Sequence, residues 1–174
     1  LFIIVRICLK STILKPCFLT ESFFYVMTKT LLKTIYPIEN ERWDTLQALY
    51  CEENCGIFRS ISGTIFHIFS DTIPEIQRYH VSALHLLGMM INRDKYIRQF
   101  LLTSNLHEAL LRLLLQFPSN TFLHQAILYI FREAIEFPEF QKLFIENLVI
   151  PLVLEGTSSD STVLVGTSFE IISK

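Results

Sequence analysis

Glycine is scarce in this chain, with five residues in 174. That scarcity argues against phosphate-cradling loops, which need closely spaced glycines at the start of a helix. Cysteine is equally uninformative as chemistry. Cys8, Cys17, Cys51 and Cys55 are the whole set. Cys51 and Cys55 have a gap that zinc sites permit, but no second Cys or His pair follows at useful spacing, so reduced thiols near a helix end are expected. The five histidines, His67, His80, His85, His107 and His124, are scattered along the sequence. Ser60, Ser62 and Gly63 lie near His67, yet they form no nucleophile elbow, and no Asp is placed to orient the ring. No metal, cofactor or catalytic residue is therefore expected, and the chain is not read as an enzyme. Long apolar runs are missing too. Leu1 to Leu9 is interrupted by Arg6 and stopped by Lys10 and Lys15, short of the roughly 18 residues a membrane span requires. No basic stripe with interleaved aromatics is present for a nucleic-acid backbone.

What the chain does have is apolar residues, 51% of the total including 15 Phe, enough for one sizeable core. They recur at helical spacing, punctuated by Pro, Asn, Ser and Asp, and no segment alternates with period two. The spacing predicts helices over 21–36 (ended by Pro37), 41–54, 57–69, 74–92 (Pro74 in its first turn), 94–103, 106–117, 120–136, 138–146, 148–155 and 161–173. The connections are two to five residues long, which forces neighbouring helices to pack together.

The sequence also repeats. Asn105-Leu106 returns 42 positions later as Asn147-Leu148, and Tyr79-His80 returns 44 positions later as Leu123-His124. Leu84 matches Leu128, Ile91 matches Ile135 and Phe100 matches Phe144. Such a period belongs to armadillo and HEAT repeats, so the expected fold is an all-α, armadillo/HEAT-like right-handed α-solenoid over residues 57–174. Repeats of this class bind other macromolecules. Because the chain starts without Met and stops inside an apolar-periodic run, a fragment of a longer solenoid is expected.

Residues 1–56 read as a separate set of basic helices. Up to residue 36, Arg6, Lys10, Lys15, Lys29 and Lys33 face Glu21 alone. A peripheral membrane anchor is the less favoured reading of that stretch, and ordinary solvated lysines the favoured one. Further on, Glu133 to Asp160 holds six acids against Lys142 alone, either a solvated face or a surface for a basic partner.

The run from Leu106 carries the clearest surface. Leu106, Ala109, Leu110, Leu113, Leu114 and Phe117 form one apolar face, with Asn105 as candidate cap. Glu108, Arg112 and Gln116 recur every four residues opposite it and form a candidate ridge for a protein partner, with a weak Glu108–Arg112 helical pair as the alternative. Pro118 must end the helix. Asn120 can cap the next one, in which Phe122, Leu123, Ala126, Ile127 and Ile130 offer an apolar face. His124 is expected as a satisfied interior histidine.

The segment Phe117-Pro118-Ser119-Asn120-Thr121-Phe122-Leu123-His124, after the Leu-rich helix from Leu110 to Gln116, resembles the SAPS-domain family. Those proteins are regulatory subunits of the type 6 (Sit4-type) serine/threonine phosphatase. The family motif has Trp where Ser119 stands and Asn where Thr121 stands. The resemblance spans Tyr79 to Glu136, about a third of the chain. It implies a non-catalytic scaffold that binds a phosphatase catalytic subunit in the cytoplasm, and in the nucleus as well, with a generic armadillo-type adaptor as the alternative.

Overall fold

The structure, a computed structural model, describes residues 5, 10–11, 15–18, 20, 22–23, 36–51, 54–70, 72–156 and 160–172. Among these residues the fold is all-helical, without a strand. In chain order the helices are α1 (Lys15–Phe18), α2 (Tyr36–Leu49), α3 (Cys55–Arg59), α4 (Ser62–Ser70), α5 (Arg78–Arg93), α6 (Lys95–Thr103), α7 (Leu106–Gln116), α8 (Thr121–Ile135), α9 (Pro138–Phe144), α10 (Ile150–Gly156) and α11 (Thr162–Ile172). A π-helical turn, Ile145–Val149, joins α9 to α10. None of the described helices is long and apolar enough to cross a membrane.

Two rows of helices carry the packing. In the first, α2 packs on α5, α5 on α8 and α8 on α11. These four begin at residues 36, 78, 121 and 162, which are 42, 43 and 41 positions apart. In the second row α7 lies against α4 on one side and against the π turn and α10 on the other. One buried apolar cluster runs from Trp43, Leu46 and Leu49 through Leu84, Leu113 and Ile127 to Leu164 and Ile171. The core therefore does not stop at residue 56, the expected boundary. Leu113 is buried as its helical position implies, and each such leucine contributes on the order of 1.5–3 kcal/mol.

Several expected helix bounds move, for local reasons. The helix expected over 21–36 falls largely outside the described residues. Pro37, expected to end it, sits in the first turn of α2, where a missing amide hydrogen matters little. The run 57–69 divides at Ser60 and Ile61. There the Ser60 hydroxyl donates to the Ile57 carbonyl at 2.7 Å and Ser62 to Arg59 at 2.8 Å, a local side-chain alternative to helix bonding. Pro74 stays in the link before α5. The helix starts later because Gln77 N–H donates to His80 Nδ1 at 2.9 Å while His80 N–H donates to the Gln77 carbonyl at 3.0 Å. Asn105 does not cap α7 with its side chain. It adopts a left-handed conformation, φ 51°, just past the end of α6, which suits Asn better than most residues.

The largest departure lies at residues 138–156, where two helices, 138–146 and 148–155, are expected. They form one continuous helical run. Pro151 has no amide hydrogen for the carbonyl four residues back, that of Asn147. The run widens over this stretch, with Ile150 N–H donating to the Ile145 carbonyl five residues back. The Asn147 side chain meanwhile donates to the Leu143 carbonyl at 3.0 Å.

The α5–α8 contact allows no added atom. A methyl group at Gly88 would lie 2.7 Å from Tyr129 Cε1, and the Tyr129 ring is itself stacked near His85, with centroids 5.4 Å apart. Gly166, inside α11, has nothing within 4 Å of such a methyl. Gly166→Ala should therefore stabilise by about 0.5–1 kcal/mol through helix propensity. In Gly88→Ala the same gain is opposed by an overpacking penalty of about 1–3 kcal/mol. Urea unfolding should place Gly166→Ala above and Gly88→Ala below the parent; equal shifts would contradict the close approach.

Candidate functional site

The ridge and the motif that follows it form one surface. The apolar stripe of α7 turns Leu106, Ala109, Leu110, Leu113 and Leu114 inward, so Glu108, Arg112 and Gln116 are exposed. Two of the three also tie α7 to the end of α4 and the link beyond it. The Arg112 guanidinium donates to the Phe69 carbonyl in the last turn of α4, and Gln116 Nε2 donates to the Ile73 carbonyl at 2.6 Å, each across 43 positions. Carbonyls at and beyond a helix C-terminus lack intrahelical donors, and these long side chains supply them. Glu108 stays at the surface, its carboxylate 4.0 Å from His107 Nε2.

Gln116 leads into the motif. Phe117 closes α7 by donating its amide hydrogen to the Leu113 carbonyl at 3.0 Å, and Pro118 prevents continuation. Asn120 caps α8 as its position implies, with Oδ1 accepting from Leu123 N–H at 3.0 Å. Leu123 is fully buried. His124, 1% exposed, bridges the end of α7 and α11. Its Nε2 lies 3.1 Å from the Phe117 carbonyl and its Nδ1 2.8 Å from the Thr167 hydroxyl, 43 positions on. Because a carbonyl can only accept, a neutral ring donates from Nε2 and leaves Nδ1 to accept. Ser161 Oγ adds a bond to the Pro118 carbonyl at 2.5 Å, again across 43 positions.

Phe122 breaks the expected pattern. Periodicity puts it above the buried Ala126, yet it is 79% exposed. It sits in the first turn of α8 with an open concavity on either side. One, of about 440 Å³, is lined by Asp44, Ile76, Arg78 and Val81. The other, of about 570 Å³, reaches Gln116, Phe117 and Pro118. Periodicity reports which side of a helix faces its neighbours, not whether a neighbour extends as far as the first turn. Inside the smaller concavity the charges are internally matched: Asp44 accepts from Arg78 at 2.5 Å and from the Ser82 hydroxyl at 2.6 Å.

A second constellation has no counterpart in the sequence reading. Asp94, its side chain 1% exposed, caps α6 by accepting from Tyr96 N–H at 2.9 Å and accepts Arg59 Nε at 2.6 Å. Burial raises the Asp94 carboxyl, but the Arg59 hydrogen bond, the Tyr96 and Ile97 amides and the Arg59 charge outweigh it and hold the group below the usual carboxylate range. The Arg59 guanidinium lies 4.3 Å from the Tyr96 ring centroid. Capping by Asp94 was legible from its place before a helix; its partner, 35 residues earlier, was not.

No three or more His, Cys, Asp or Glu side chains gather as a metal would require among the described residues. Among the described residues no disulfide joins Cys17, Cys51 and Cys55, and Cys8 lies outside them. Comparison with known families, curated proteins and solved structures finds no match.

The buried histidines set an acid limit. Burial pushes His80 down to about 4, and lowers His124 below its ordinary value, there outweighing backbone carbonyls that favour the charged form. A depressed histidine is neutral in the folded chain while the unfolded chain takes up the proton. Stability should thus be full above the ordinary value near 6.5 and fall as pH drops towards about 4, by a loss on the order of 2–3 kcal/mol. The stability that the depressed Asp94 carboxyl contributes is lost only as pH falls below about 4, so chemical unfolding followed between pH 7.5 and 4 reports mainly the histidines. A flat profile over that window would contradict their neutral burial.

Proposed function

We propose that the chain is part of an armadillo/HEAT-like right-handed α-solenoid and acts as a non-catalytic interaction scaffold. Its favoured partner is a serine/threonine phosphatase catalytic subunit, as the SAPS resemblance implies. The observation that carries this reading is the recurring spacing. Helices of the first row begin 41 to 43 positions apart, and four side-chain bonds join residues 43 positions apart. Units related in this way leave one face of each helix row for ligands.

The ridge on α7 is the part of that surface that the proposal commits to. Arg112→Glu is an impure test, because it also removes a hydrogen bond to Phe69 and so lowers stability. Glu108→Lys is cleaner, since Glu108 is held only by its contact near His107 among the interactions described above. In affinity purification of the full-length protein, Glu108→Lys should reduce recovery of the phosphatase catalytic subunit about tenfold, corresponding to roughly 1.4 kcal/mol, with an unchanged melting temperature. Undiminished recovery would remove the ridge, and absence of the subunit from the parent purification would remove the phosphatase assignment.

A further inference from the structure

Arg59, Arg93, Lys95 and Tyr96 come from three helix ends, the last residue of α3, the last of α5 and the first two of α6. Around the buried Asp94 they form a compact cationic cluster. Arg59 Nε is held by Asp94 at 2.6 Å while the guanidinium lies over Tyr96. Lys95 Nζ lies 5.6 Å from the centroid of the same ring, and the Arg93 guanidinium lies 5.9 Å from that of Tyr50. Three cations are thus contributed by neighbouring helix ends, and of these Arg59 meets the Asp94 carboxylate, in a chain whose formal net charge is −2. Among the described residues neither Arg93 nor Lys95 pairs with a carboxylate.

The cluster is both accessible and ordered. The Tyr96 ring is 60% exposed and the Arg59 side chain 44%. With Nε tied to Asp94, Arg59 retains its two terminal nitrogens for a carboxylate or phosphate, whose geometry a guanidinium matches with paired hydrogen bonds. Its orientation is fixed beforehand by the Asp94 bond and the ring, which reduces the ordering required when a ligand arrives. An exposed aromatic beside an arginine is also the composition favoured at the centre of binding surfaces.

We propose that this corner of α3, α5 and α6 docks an acidic segment of the partner polypeptide, its anionic side chains engaging Arg59, Arg93 and Lys95 with Tyr96 as the apolar floor. The proposal rests on the scaffold reading and specifies the chemistry of the partner. Carboxylates and phosphoserine share the recognised charge, and the test separates them.

Fluorescein-labelled peptides, one Glu-rich, one with phosphoserine replacing Glu and one Lys-rich, are titrated with the full chain and followed by anisotropy at low and physiological salt. A single-stranded oligonucleotide is run beside them. One or both acidic peptides should bind, more weakly as salt rises, and the Lys-rich peptide should not. Arg93→Glu and Lys95→Glu should each weaken binding about tenfold or more without moving the melting temperature, since neither side chain holds Asp94. Equal binding of both peptide signs, or indifference to the two charge reversals, would overturn the proposal. Tighter binding of the oligonucleotide would assign the corner to a nucleic-acid phosphate backbone instead. If Glu108→Lys abolishes recovery of the phosphatase subunit while neither acidic peptide binds, the scaffold reading survives and this proposal falls.

Discussion

The approach of α8 to α5 at Gly88 sets the spacing on which the described helices depend. With Tyr129 pressed against a residue that has no side chain, the two helices come close enough to bury Leu84, Leu87, Ile91, Leu123, Ile127 and Ile130 almost completely. Tight interiors tolerate little added volume, so this one contact fixes how α2 and α11 sit on either side. The buried polar groups depend on it as well. His124 can satisfy both ring nitrogens only if α11 places Thr167 within 2.8 Å.

Much of the fold was legible because helical periodicity reports burial directly. Leu106, Ala109, Leu110, Leu113 and Leu114 were placed inward and are inward; Asn120 was placed as a cap and is one; His124 was placed in the interior and is 1% exposed. The misplacements have a common physical origin. Pro74, Asn105 and Pro151 each have more than one favourable use, and the choice among them is made by neighbours that local pattern does not reveal. For Pro74 the deciding neighbour is the His80 ring, which starts α5 later. At Asn105 the end of α6 takes the residue before α7 can use its side chain. Phe122 belongs to the same group, since exposure there depends on how far adjacent helices extend.

The candidate surface shows why exposed polar rows are poor indicators of function by themselves. Arg112 and Gln116 are exposed by area and still donate to the Phe69 and Ile73 carbonyls, 43 positions earlier. A side chain of that length can cover a helix end with one part and present the remainder to solvent. Along α7 the residues of the exposed row therefore also hold α7 to the end of α4 and the link beyond it. The Arg59–Asp94 pair links interior and surface in another way: a buried acid needed to cap α6 also orients an arginine at the surface. Such pairing could not be read from the sequence, because it depends on two segments brought together by the packing of the intervening helices.

The π turn at Ile145–Val149 gives the run 138–156 a mechanical property that the other described helices lack. One extra residue in a turn rotates everything beyond it by roughly 100° about the helix axis, the angle each residue subtends. The faces of α10 are consequently offset from those of α9, although the chain between them never leaves helical form. Leu148 and Leu152 remain fully buried across the change of phase. The run therefore works as a rigid rod with a preset twist, aiming its first part at α8 and its second at α7 and α11, and Pro151 keeps that twist from relaxing into an uninterrupted α-helix.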